Sequence, residues 1–130
     1  MKFENQTILI TGGAQGIGFA LSKKFSTMGA NVVIADIHKD TPNIAKNFGG
    51  FGYICDVTRE EELNNFITFA EDRLGEVHCF ISNAGTIFVD PDHVASASNK
   101  TWELSWKLHV MSHVYAAKYV QRAGADSVTI

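Results

Sequence analysis

The sequence predicts an α/β fold built on a doubly wound parallel sheet, and three features of the chain predict it. Short apolar runs alternate with longer stretches of helical period. The first run, Thr7-Ile8-Leu9-Ile10, passes directly into the glycine-rich segment Thr11-Gly12-Gly13-Ala14-Gln15-Gly16-Ile17-Gly18, which opens a helix. The second run, Asn31-Val32-Val33-Ile34-Ala35-Asp36, is continuously apolar, as a strand buried on both faces of a parallel sheet must be.

Thr7–Thr11 reads as the first strand. Ile17–Met28 follows as a helix with Ile17, Ala20, Leu21, Phe25 and Met28 on one face, and Gly29 stands where a helix stops. After the second strand, Pro42 near a first turn and the pair Gly49-Gly50 bracket a short helix over Thr41–Phe48. Phe51–Cys55 is a third strand. Thr58 is expected to cap a helix over Arg59–Leu74, with Glu60, Glu61 and Glu62 complementing its positive end. Gly75 ends that helix and Val77–Ser82 is a fourth strand. The stretch Asn83–Lys100, rich in Ser, Asp, Asn, Gly and Pro, is a long loop of the kind that carries function. A long helix is expected over Trp102–Arg122, and Asp126–Ile130 begins a fifth strand.

Composition narrows the classes of function. A chain of 130 residues with 45% hydrophobic and 19% charged residues is one domain, residues 1–130, with enough apolar mass for a core. A net charge of −3 gives no reason to expect nucleic acid or an anionic membrane as partner. No apolar run approaches the ~20 residues that span a bilayer. The first strand begins so early that a signal peptide is not expected before it. Cys55 and Cys79 share no metal-type spacing and read as buried free thiols of a reducing, cytoplasmic protein.

The glycine turn has a specific chemistry. Backbone N–H groups at the start of a helix face an anion, helped by the helix dipole. Gly12 is expected to allow the tight turn, Gly16 to let the backbone approach a pyrophosphate, and Gly18 to let the helix pack on the strand. Asp36 closes the second strand; a carboxylate there accepts hydrogen bonds from ribose hydroxyls and repels a 2′-phosphate, which favours NAD over NADP. Gln15 brings no positive charge for such a phosphate, while Lys39 lies near enough to soften the preference. Asp56-Val57 after the third strand and Asn83-Ala84-Gly85 after the fourth fall on the carboxyl edge of the sheet, where open α/β folds bind ligands.

These motifs together resemble the short-chain dehydrogenase/reductases, and the resemblance covers the whole chain in order. Thr11-Gly12, Gly16 and Gly18 fit the family's Thr-Gly-x-x-x-Gly-x-Gly turn, Asp56-Val57 its Asp-Val pair, Asn83-Ala84-Gly85 its Asn-Ala-Gly turn, and Trp102 the Trp that opens its long helix. The resemblance implies a Rossmann-type domain that binds NAD. Gly12, Gln15, Gly16, Ile17 and Gly18 would lie on the pyrophosphate, and Asp36 and Ile37 at the ribose. Asp56 and Val57 would lie near adenine, and Asn83, Ala84 and Gly85 on the nicotinamide side. It also implies hydride transfer between the nicotinamide and a small-molecule alcohol or carbonyl, and a homo-oligomer, dimer or tetramer.

Two positions depart from the family pattern: Ser82 replaces an Asn, and His109 stands where the family carries the Asn of a catalytic tetrad. The Ser and the Tyr-x-x-x-Lys pair that the resemblance calls for do not occur within these residues. The expectation is therefore an N-terminal half, truncated after the fifth strand, with no catalytic residue of its own. Tyr115-Ala116-Ala117-Lys118 has the wrong spacing and reads as helix surface, and Ser127 reads as part of a strand. His109 and His113 have the spacing of metal ligands, with His93 as a distant third, but Val110 stands where a zinc hydrolase would carry its Glu; packing histidines and no metal are expected. The alternative from another class is a non-catalytic dinucleotide-binding or interaction module.

Overall fold

A computed structural model describes residues 2–88, 97–125 and 127–129. The elements run β1 (Thr7–Thr11), α1 (Gly16–Thr27), β2 (Asn31–Asp36), α2 (Thr41–Ala45) with a 3-10 turn at Lys46–Phe48, β3 (Phe51–Ile54), α3 (Glu60–Leu74), β4 (Cys79–Ile81), α4 (Asn99–Trp106), a π-helical turn at Lys107–Met111, α5 (Ser112–Arg122) and β5 (Ser127–Thr129). The five strands form one sheet in the order β3-β2-β1-β4-β5, and every neighbouring pair is parallel. The doubly wound α/β sheet expected from the sequence is the fold observed.

Period-two alternation explains the two-sided core. Ile8 and Ile10 of β1 point to one face, where they meet Val32, Ile34, Ala45 and Ile81, with Leu21 and Phe25 of α1 packed over them. Leu9 points to the other, among Val33, Ala35, Leu63, Phe66, Phe80, Ala116 and Val120. All three β1 side chains are fully buried, and burying each such side chain is worth about 1.5–3 kcal/mol. α1 and α2 thus cover one face, and α3 and α5 the other.

Differences from the sequence expectation have local causes. Thr58 does not cap α3; its N–H and hydroxyl both bond the Asp56 carboxylate at 3.0 and 2.7 Å, and Arg59 takes the cap position without a side-chain bond. β4 is shorter than expected; at its start the Val77 N–H goes to the Ala123 carbonyl at 3.1 Å and the Thr7 N–H to the ring Nδ1 of His78 at 2.9 Å. The long helix begins earlier, at Asn99, where Ser98 accepts the Thr101 N–H. It is also interrupted: Ser112 donates to the Leu108 carbonyl at 2.5 Å beside the π-helical turn, the kind of side-chain insertion that perturbs a helical ladder. Cys55 is buried as expected, whereas Cys79 is only partly so; both are free thiols. Of the expected loop, residues 89–96 with His93 lie outside the described residues, as do Asp126 and Ile130 at the ends of the expected fifth strand.

Candidate functional site

The carboxyl ends of β1, β2, β3 and β4 converge on the glycine turn. Parallel pairing sets Thr11 opposite Ala35, so that Asp36 lies one residue beyond the end of β1. The Gly12 N–H continues the ladder to the Ala35 carbonyl at 2.7 Å, and the Gly13 N–H shares the same carbonyl at 3.3 Å as the chain leaves the sheet. Gly12 and Gly16 carry φ of 68° and 58°, a left-handed conformation that costs an L side chain about 1–2 kcal/mol.

Gly18 serves a purpose somewhat different from the one expected. A Cβ there would collide with the Gly12 carbonyl oxygen and stand 2.7 Å from Asn83 Nδ2, so its tight contact is with the turn and the end of β4. The close approach to a strand belongs to Gly13, whose Cβ would lie 2.5 Å from Ile34 Cγ2.

The start of α1 is left open. Gln15 occupies the cap position in extended conformation without a side-chain hydrogen bond, and the first turn carries no acidic residue. The N–H groups of a helix's first turn have no intrahelical acceptors, so this end presents donors and a positive dipole. A Cβ on Gly16 would meet nothing within 4 Å, and Ile17 is 74% exposed. Open donors beside an uncovered isoleucine suit an anionic ligand with an organic body.

Asp36 faces this end. Its Oδ2 accepts the Ala14 N–H at 3.1 Å and its Oδ1 accepts the His38 N–H at 3.1 Å. Each oxygen keeps a further lone pair. Ile37 is 73% exposed and forms a wall of a cavity of about 240 Å³ with Cys55, Asp56, Val57, Thr58, Thr86, Phe88, Leu104 and Leu108. A mostly apolar slot with few polar groups suits a flat heterocycle. Cys55 sits in its floor as a neutral thiol: burial, with Glu62 and Asp56 nearby, pushes its pKa up to about 12.

The Asn83-Ala84-Gly85 turn is tied to β1 by a hub that the sequence reading did not single out. The Thr11 hydroxyl oxygen accepts the N–H groups of Asn83 and Ala84 at 3.0 and 3.1 Å. The Asn83 side-chain amide donates to the Thr11 carbonyl at 3.1 Å. Beyond the turn, Thr86 and Phe88 also line a second cavity of about 310 Å³ with Thr101, Trp102, Ser105 and His109. Helical periodicity carries no signal for that lining, because it depends on the π-helical turn and the loop meeting.

The structure therefore gathers Gly12, Gln15, Gly16, Ile17, Gly18, Asp36, Ile37, Asp56, Val57, Asn83, Ala84 and Gly85 along one edge of the sheet. Tyr115 and Lys118 line neither cavity: Tyr115 packs against the core and Lys118 pairs with Glu60 of α3 at 2.8 Å. His109 bonds the Thr86 carbonyl and His113 bonds Ser82. Among the described residues no three potential metal ligands come together, and no helix is long and apolar enough to cross a membrane.

Residues 6–126 match the sequence model of a family described as short chain dehydrogenase. Over its whole length the chain is 36% identical to 7alpha-hydroxysteroid dehydrogenase of Escherichia coli, of which it covers 54%. It is 37% identical, over 66% of its length, to Short-chain dehydrogenase reductase 3b of Arabidopsis thaliana, of which it covers 35%. Among solved structures, a short-chain dehydrogenase/reductase SDR:Glucose/ribitol dehydrogenase from Brucella melitensis shares the fold with a TM-score of 0.86 at 24% identity, covering 94% of this chain and 51% of that one. The chain thus spans about half the length of its E. coli relative.

Proposed function

This chain belongs to the short-chain dehydrogenase family, and on that premise we propose that the protein is an NAD-dependent oxidoreductase interconverting an alcohol and a carbonyl compound. The observation that carries the cofactor preference is the Asp36 carboxylate, fixed by Ala14 beside the open end of α1. Its charge repels a 2′-phosphate, and its remaining lone pairs suit ribose hydroxyls.

The fit of a dinucleotide rests on features of this site: uncapped helix donors, a Gly16 with free space where a side chain would stand, and two exposed isoleucines, Ile17 and Ile37, that a bound dinucleotide would cover. In this reading Gly12, Gln15, Gly16, Ile17 and Gly18 hold the pyrophosphate, Asp36 and Ile37 the ribose, and Asp56 and Val57 the adenine side. Asn83, Ala84 and Gly85 border the nicotinamide side, kept in place by Thr11. When bound, a nicotinamide dinucleotide supplies or accepts the hydride. The part played by these residues is to bind and orient.

Trp102, Trp106 and Val114 lie exposed along the α4–α5 helix, which supports the expected homo-oligomer; sedimentation of the whole protein tests it. The experiment for the activity follows reduced nicotinamide by absorbance while the whole protein meets a panel of secondary alcohols and ketones, hydroxysteroids among them. Turnover of at least one compound with NAD or NADH is expected. Tight NADH binding without any turnover would favour the non-catalytic binding module instead.

A further inference from the structure

We propose that His109 and His113 are positioning residues that fasten the Asn83-Ala84-Gly85 turn to the long helix from both flanks, an inference that rests on the dinucleotide reading above. Ser82, immediately before the turn, is 5% exposed, and its hydroxyl lies 2.6 Å from His113 Nδ1. Thr86, immediately after it, offers its carbonyl to His109 Nε2 at 2.8 Å. A carbonyl oxygen only accepts, so His109 carries its proton on Nε2. The His109 ring also lies against the turn itself: a Cβ on Gly85 would stand 3.3 Å from its Cε1. Phe88 meets the same ring edge to face at 6.2 Å.

The helix is built for this contact. His109 sits within the π-helical turn Lys107–Met111, and such wide turns are frequent at functional sites. What His109 fixes is a shared wall, because Thr86 and Phe88 line both the 240 Å³ and the 310 Å³ cavities. Thr11 holds the turn from the β1 side, and the two imidazoles hold it from the helix side. His113 acts as a neutral ring, its pKa lowered by burial and by His109. The arrangement pre-organises the turn, which lowers the cost of ordering it when a ligand binds.

The test titrates the whole protein with NADH by fluorescence, as wild type, His109→Ala and His109→Gln. The Gln side chain keeps an N–H for the Thr86 carbonyl. His109→Ala should weaken NADH roughly three- to tenfold, the loss of one ordinary hydrogen bond, and His109→Gln should recover most of it. Combining His113→Ala with Ser82→Ala should weaken NADH no more than His113→Ala alone, as expected for partners in one bond. NADH binding by His109→Ala equal to wild type overturns the proposal, as does a His109→Gln variant as weak as His109→Ala. Failure of the wild type to bind NADH overturns the dinucleotide reading, and this inference with it.

Discussion

Asp36 and Ala14, twenty-two residues apart, are joined by a hydrogen bond of 3.1 Å from the Ala14 N–H to Asp36 Oδ2. The bond draws the end of β2 against the glycine turn and fixes where a negative charge stands relative to the donors of α1. Through it, a single side chain both shapes the turn and selects the ligand that fits there.

Replacing that charge should change cofactor choice more than stability. Asp36→Ser is expected to weaken NADH about tenfold, roughly 1.4 kcal/mol, and to tighten NADPH by removing the repulsion of its 2′-phosphate. Parallel fluorescence titrations check this; an unchanged ratio of the two affinities would show that Asp36 does not face the ribose.

Thr11→Val removes the oxygen that accepts two backbone N–H groups from the Asn83-Ala84-Gly85 turn while keeping the side chain's shape. Thr11 is 2% exposed, so water cannot replace it freely. A loss of about 1–3 kcal/mol in urea unfolding is expected. Thr11→Ser, which keeps the hydroxyl, should recover most of that loss.

Two glycines of the same turn should respond differently to alanine. Gly18→Ala drives a methyl group into the Gly12 carbonyl and the Asn83 amide, and should lower the unfolding free energy measured in urea by about 1–3 kcal/mol. Gly16→Ala meets no neighbour and carries only the backbone strain of its φ of 58°, about 1–2 kcal/mol. Its NADH affinity should nevertheless fall further than its stability, because the added methyl occupies the space open to the pyrophosphate.

The Cys55 thiol makes stability depend on alkaline pH. Its pKa, ordinarily 9.0, is pushed up to about 12 in the folded protein, by burial first and then by Glu62 and Asp56. Between those values the unfolded chain loses the proton and the folded chain keeps it, so stability falls as pH rises, by about 1.4 kcal/mol per unit at most. Urea unfolding at pH 8 and pH 10 should show the decline, and Cys55→Ala should flatten it.

Much of this fold is legible in the sequence because local signals and burial agree. Thr7–Thr11 and Asn31–Asp36 are strands with the boundaries the apolar runs predict. The glycine turn, Asp36, Asp56 and Asn83 reach one edge because parallel strands deliver their carboxyl ends together. What escaped depends on side-chain contacts that periodicity does not record. Thr58 looks like a cap, yet the nearer Asp56 carboxylate claims its hydroxyl. At the start of β4 the Val77 N–H goes to Ala123 and the Thr7 N–H to the ring of His78. The π-helical turn leaves no trace in periodicity, and it carries His109, which reads in sequence as a substituted Asn and a packing histidine with no partner assigned.

A dinucleotide site that prefers NAD is tested by titrating the whole protein with NADH and NADPH in parallel. Such a site should bind NADH saturably, and more tightly than NADPH by about tenfold or more. Equal affinities, tighter NADPH or no binding of either would contradict it.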